Sequence, residues 1–189
     1  GKYIERDINK SIHYFSLASN QNDPNAQFTL GLFYSQGIYF KKNMIKAIDL
    51  FIQSSSNGDI DGHFKVGYFY HEGKHVERDI RKSIHHYKEA STFDNQYAKN
   101  NLGIIYRFGC GDDIPKKYGL SMDYFEEAIR RFKDKVSMYN LAHIYIYEDK
   151  NKSRLGKSIE LLIESIKQNF SPSIELLCIA LIKLFDFDI

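Results

Sequence analysis

The chain of 189 residues has no tryptophan, three prolines and two cysteines. Two thiols, Cys110 and Cys178, cannot build a disulfide framework, so nothing requires an oxidising compartment and a cytoplasmic setting is expected. Pro24, Pro115 and Pro172 all fall at connections or at the starts of apolar-periodic segments, as an all-helical chain demands. A run of about 18 uncharged apolar residues is missing, which excludes an ordinary membrane span. Charge of one sign is missing too: 26 Lys and Arg face 24 Asp and Glu, and the basic residues are spread rather than striped. That leaves no electrostatic footprint for nucleic acid. The first seven residues, GKYIERD, contain no signal-peptide core. What is present is a globular balance, 43% hydrophobic and 26% charged, too apolar for wholesale disorder.

Internal repetition dominates the rest. Leu30-Gly31 returns as Val66-Gly67 and Leu102-Gly103 in steps of 36, then as Leu141-Ala142 after 39 and Leu177-Cys178 after 36 more. Tyr34, Tyr70, Tyr106 and Tyr145 follow the small residue by three positions, and Gly37, Gly73 and Gly109 follow the first three tyrosines by three again. A second motif, Arg6-Asp7-Ile8-Asn9-Lys10-Ser11-Ile12, comes back as Arg78-Asp79-Ile80-Arg81-Lys82-Ser83-Ile84. Extra residues are expected in the loop Gly109 to Pro115 and between helices near Arg131 to Val136, since stacked repeats tolerate insertions at connections.

Each unit reads as two helices. Ala26, Leu30, Phe33 and Tyr34 make an apolar stripe at helical spacing, and Ile80, Ile84, Tyr87 and Ala90 make another. Gly37, Gly73 and Gly109 suit a left-handed residue just past a helix end. Asp7 and Asp79 precede second helices as caps, and Asp23-Pro24 reads as cap followed by a first-turn proline. Gly31, Gly67, Gly103 and Ala142 lie on the stripe, where the expected opposing residues are Ala18, Ser54, Ala90 and Ala128, giving a close helix approach. The fourteen tyrosines and fourteen phenylalanines read as inter-helix core, with Tyr14, Phe51 and Tyr87 at matching places in second helices, rather than as base-stacking platforms.

The pattern Ala26…Leu30-Gly31-x-x-Tyr34-x-x-Gly37…Lys46-Ala47-x-x-x-Phe51 resembles the Sel-1-like repeat, a relative of the tetratricopeptide repeat. Val66-Gly67-x-x-Tyr70-x-x-Gly73…Lys82-Ser83-x-x-x-Tyr87-x-x-Ala90 is closer still. The fourth unit departs, with Ala142 and Glu148 in place of glycine, and the fifth keeps little beyond Leu177. The resemblance implies an all-α, right-handed superhelix of about five repeats of ~36 residues, a solenoid. The expected boundaries are a lone second helix over 3–20, repeats over 24–57, 60–93, 96–133 and 137–168, and a terminal first helix over 172–185, in a single array. It further implies a scaffold or adaptor. Some Sel-1-like proteins carry a disulfide in each repeat; this chain has no such cysteine pairs.

The array opens on a second helix and closes on a first one. The closing segment 173–185 is apolar nearly all round, so the chain is expected to be a segment of a longer protein or to self-associate through this helix, with an atypical folded-over cap as the alternative.

No catalytic or cofactor signature is found, and no cofactor is expected. His13 and His85 share a repeat position and read as solvated helix-face residues. His71 and His75 are four apart, but Gly73 ends the helix between them. His85 and His86 point to different faces of one helix, so no zinc signature forms. Cys110 has no His and Asn or Asp arrangement that would make it a nucleophile, and Cys178 is expected on a packed face. Gly109-Cys110-Gly111-Asp112-Asp113 lacks phosphate-loop and calcium-loop context and reads as a turn. The sequons at Asn9, Asn151 and Asn169 are chance matches in a chain rich in Asn and Ser.

By likeness to tetratricopeptide arrays, first helices line the concave side. The inward positions are then Thr29, Leu32, Ser35 and Gln36; Lys65, Tyr68, His71 and Glu72; Asn101, Ile104, Arg107 and Phe108; and Asn140 and His143. This mixture of amide, cationic and aromatic groups suits a protein or extended peptide partner, with a solvated spacer as the bland alternative. A regulatory region of a larger signalling enzyme, such as a protein kinase whose catalytic domain lies elsewhere, stays open beside the scaffold reading.

Overall fold

Aspartate or asparagine caps half of the ten described helices. In the computed structural model, which describes residues 8–111, 113–149 and 153–185, Asp23 accepts the Ala26 N–H at 2.7 Å ahead of Pro24. Asn43, Asp59, Asp79 and Asp134 cap their helices in the same way, each accepting the N–H three residues on. Helices α1 to α10 are Ile8–Asn20, Pro24–Gln36, Met44–Ser56, Ile60–Glu72, Ile80–Thr92, Gln96–Phe108, Tyr118–Phe132, Lys135–Tyr147, Leu155–Lys167 and Pro172–Phe185. The described residues hold no strand, only an isolated antiparallel bridge between Cys110 and Ile114 inside the turn expected there. Gly37 (φ 75°) and Gly73 (φ 68°) end α2 and α4 in the left-handed conformation, whereas Glu148 ends α8 at φ −109°. The expected Tyr3 helix start, the Asp7 cap, Asp112 and the Asn151 sequon lie outside the described residues.

Two compact units divide the chain: Gly1–Asn95, with α1 to α5, and Gln96–Ile189, with α6 to α10. Inside each unit the odd and even helices alternate in packing order, each touching the one before and the one after. First helices also approach one another, α2 with α4, α6 with α8 and α8 with α10, more closely than second helices do. The first-helix side is therefore the inner side of each unit.

The stripe glycines meet aromatic rings, not small residues. A Cβ on Gly31 would sit 2.7 Å from the Phe51 ring, one on Gly67 2.7 Å from Tyr87, and one on Gly103 2.5 Å from Phe125. This corrects the expected opposition by Ser54, Ala90 and Ala128. Ser54 instead lies against the helix starts, its hydroxyl 3.0 Å from the Pro24 carbonyl and 2.6 Å from Asp59. In the fourth repeat Ala142 and Leu162, both fully buried, share one core cluster. A larger small residue thus accompanies a smaller large one.

Three further expectations are corrected. Tyr14 is 65% exposed; the residue in register with Phe51 and Tyr87 is Phe15, which meets Phe33 edge-on at 6.1 Å. Cys178 is exposed rather than packed, because the glycine position faces its own repeat's second helix, and none follows α10 among the described residues. The extra residue near Arg131 enters a helix: α7 has 15 residues where α3 and α5 have 13, and left-handed Lys133 (φ 50°) closes it.

The repeated tyrosines divide by depth. Tyr106 and Tyr145 are buried, at 6% and 2% exposure, while Tyr34 and Tyr70 are half-buried. Lys46, Lys82 and Lys157 place their amines over Tyr34, Tyr70 and Tyr145 at 4.4, 5.1 and 5.7 Å, so the tyrosine position carries a cation–π contact from the second helix in three repeats.

Candidate interaction surface

In the first unit the inner side is built by α2 and α4. Thr29, Leu32, Ser35, Lys65 and His71 are half-buried, and Gln36, Tyr68 and Glu72 are exposed. Part of this set serves the fold. Leu32 packs on the cluster around Phe51 and Val66, Ser35 donates to the Leu32 carbonyl at 2.9 Å, and Glu72 pairs with Lys74 at 3.4 Å. Burial lowers the His71 pKa, helped by the Arg78 charge and opposed by that of Glu72.

The second unit concentrates its polar groups more tightly. Ile104 packs on the Phe125 cluster, Phe108 is 59% exposed and Asn101 is half-buried. Arg107 retains only 7% exposure. Its Nη1 donates to Asn140 Oδ1 at 3.0 Å, and its guanidinium lies 4.6 Å from the Phe108 ring centre. The Asn140 amide donates to Asn100 Oδ1 at 3.4 Å, which turns its own oxygen toward Arg107. Burial lowers the Arg107 pKa, but a guanidinium stays charged at neutral pH. His143, three residues after Asn140 on α8, has Nδ1 buried without a hydrogen-bond partner, its ring 4.5 Å from that of Tyr147. Burial first, then the Arg107 charge, lowers the His143 pKa.

A cleft of about 310 Å³ lies elsewhere in the same unit, lined by Tyr118, Met122, Ile144, Tyr145, Glu148 and Arg154 among others. The Tyr145 hydroxyl donates to Glu126 at 2.9 Å. Burial and that acidic partner push the phenol up to about 12, so it stays protonated. Among the described residues no three His, Cys, Asp or Glu side chains gather as metal ligands, and no helix is long and apolar enough to cross a membrane.

The Sel1 repeat family model matches residues 1–23, 24–59, 60–92, 96–131 and 135–169, most of the chain. The chain belongs to the Sel1 repeat family. No curated protein matches it. Among solved structures, the Sel1 array is similar to a Sel1 repeat protein from Oxalobacter formigenes at 22% identity and TM-score 0.77, over 90% of this chain and 68% of that one. It is also similar to c5321, a protective antigen of uropathogenic Escherichia coli with an SLR fold, at 19% identity and TM-score 0.82, over 95% of this chain and 38% of that one. A Sel1 repeat protein from Klebsiella pneumoniae gives 18% identity and TM-score 0.53, over 93% of this chain and 86% of that one. These likenesses carry the fold. Sel1 repeat proteins generally serve as protein-interaction scaffolds.

Several polar residues of the Sel1 array escape sequence reasoning. Asn100, which supports Asn140, falls outside the inward repeat positions, whereas Lys183, on the Ile146 carbonyl and the Tyr147 ring, stands six residues after Leu177 in the register of Gln36, Glu72 and Phe108, in a fifth unit to which the inward set does not extend. Lys99 is 2% exposed and pairs with Glu127 across α6 and α7 at 2.7 Å. His63 on α4 and His86 on α5 face each other with their Nδ1 atoms 3.0 Å apart. Burial, reinforced by His63 and His85, lowers His86 to about 4. The two rings are 23 residues apart, and only the register of the α4–α5 hairpin brings them together.

Proposed function

We propose that the Sel1 array is a scaffold module that receives a protein or peptide partner on the first-helix sides of its units. The observation that carries this reading is the set of inner side chains that the fold does not consume. Exposed Tyr68 and Phe108 offer aromatic surface, Lys65, Asn101 and Thr29 on first helices stay only half-buried, and aromatic and cationic anchors of this kind dominate interface energetics. The test compares partner recovery by the purified array and by a Lys65→Ala/Tyr68→Ala variant of equal thermal stability. A defined set of polypeptides should be depleted at least several-fold from the variant. Equal recovery of every one of them overturns first-helix binding in the first unit.

A second contact surface is supported by α10, where Ile174, Ile182 and Phe185 are 52%, 58% and 77% exposed. Such a face favours association with another copy. Light scattering over a rising concentration series should show a mass above the monomer that Ile174→Lys/Ile182→Lys abolishes; a monomer throughout removes the idea. Two unpaired thiols agree with a reducing, cytoplasmic setting. No observation on the described residues favours a regulatory part of a larger signalling enzyme over the scaffold reading.

A further inference from the structure

We propose that Arg107, Asn140, His143 and Lys183 form a carboxylate-binding site on the first-helix side of the second unit, receiving the Asp or Glu side chains of an acidic partner peptide. The inference deepens the scaffold reading and rests on it.

The argument begins with an unbalanced charge. A buried cation is costly unless it is paired and hydrogen-bonded. Helix α6 buries two cations, and the chain treats them differently. Lys99, 2% exposed, has Glu127 at 2.7 Å. Arg107, 7% exposed, has a neutral amide at 3.0 Å and forms no ion pair among the described residues. A guanidinium carries five N–H donors in a planar fork, and the Asn140 oxygen takes one hydrogen bond from it. The fork matches a carboxylate, which accepts two parallel N–H bonds.

The neighbours extend the same deficit. His143 lies one turn on from Asn140 on α8 and is half-buried; its Nδ1 is enclosed, which leaves the other ring nitrogen, a donor in the tautomer that protonates it, as the one a carboxylate from solvent can meet. Lys183 on α10 spends its amine on the Ile146 carbonyl at 3.3 Å and on the Tyr147 ring at 4.2 Å, with no carboxylate partner among the described residues. The electrostatic influences of Arg107 and Lys183 both reach the His143 imidazole. Helices α6 and α10 each approach α8, so Arg107 reaches α8 through Asn140 and Lys183 reaches it through Ile146 and Tyr147. Among the described residues the one acid near Arg107 and His143, Glu148, is exposed and forms an ion pair with neither. Exposed Phe108 and Tyr147 supply aromatic surface for the rest of a peptide.

The test uses the full chain and a fluorescein-labelled, end-capped hexaglutamate peptide at low ionic strength, read by anisotropy, with hexaglutamine as the neutral control. Wild type should bind hexaglutamate and not hexaglutamine. Arg107→Gln should weaken binding about tenfold, and Arg107→Lys, which keeps the charge but loses the fork, should fall between. Lys88→Gln, which removes an exposed cation of α5, should change nothing. If Arg107→Gln does not fold, Lys183→Gln and Glu148→Gln decide, the first weakening and the second strengthening the complex. Absence of hexaglutamate binding by wild type overturns the proposal, as does equal binding by Arg107→Gln and wild type, or an equal loss in Lys88→Gln. Failure here, with partners still depleted by Lys65→Ala/Tyr68→Ala, leaves the scaffold reading standing.

Discussion

A methyl group added at Gly103 would stand 2.5 Å from the Phe125 ring, and that ring is fully buried. Alanine would raise helix propensity by up to about 1 kcal/mol, yet forcing the ring aside costs about 1–3 kcal/mol. Overpacking wins, and Gly103→Ala should destabilise the array by about 1–2 kcal/mol in urea unfolding. Phe125→Leu alone should cost about 1–2 kcal/mol, because it leaves space beside the glycine. The next repeat already contains the combined solution, with Ala142 and Leu162 in one cluster. The double variant should therefore be more stable than the sum of the single effects by at least about 1 kcal/mol. Strict additivity would show that the two side chains do not compete for the same volume. The repeat glycine is thus better understood as half of a pair than as a position that requires a small residue.

At the scale of elements, the junction between one repeat and the next depends on a few polar side chains. Asp59 accepts the Gly62 N–H at 2.9 Å and lies 2.6 Å from the Ser54 hydroxyl, joining the start of α4 to the end of α3. Asp59→Ala removes the cap and a partner of Ser54, and should cost about 1–2 kcal/mol. Asp59→Asn, which keeps an acceptor, should recover much of this; a thermal melt separates the two outcomes. Helices such as α2 and α4 were legible because caps, left-handed glycines and apolar stripes act locally and recur with the repeat. What opposes what across a hairpin was less legible. Periodicity names the face of Gly67 but not the ring of Tyr87 on it, and aligning Tyr14 in place of Phe15 shifts the stripe by one residue. The candidate surface divides likewise: Arg107 and Asn140 were reached as single positions, whereas their pairing, the support from Asn100 and the approach of Lys183 depend on helix–helix distances that spacing does not contain. His63 and His86 went unpaired for the same reason.

Over the whole molecule the histidines give stability a direction in pH. Of the seven in the sequence, burial lowers the pKa of His63, His71, His86 and His143 in the folded chain. Between their folded values and the ordinary 6.5, the unfolded chain binds more protons than the native one, so stability rises with pH across this window and falls on acidification. His86 contributes most clearly: lowered from 6.5 to about 4, it loses its stabilisation progressively as pH drops through that interval. After allowance for its partial exposure this amounts to about 1–2 kcal/mol. Asp79 adds an effect of the same sign at lower pH, since the Lys82 N–H it caps holds its carboxyl below 3.8. At the alkaline end the sign reverses. Tyr145, raised from 10 to about 12, and Tyr124, also raised by burial, keep protons in the native state that the unfolded chain has released, and stability declines as pH rises through that range. Maximum stability should therefore lie between about pH 7 and 10, and calorimetric unfolding at pH 5.5 should take up protons. His86→Gln should flatten the slope between pH 4.5 and 6.5 while leaving the alkaline limb intact. An unchanged acid limb in that variant would mean that the close pair with His63 is not where the acid sensitivity resides.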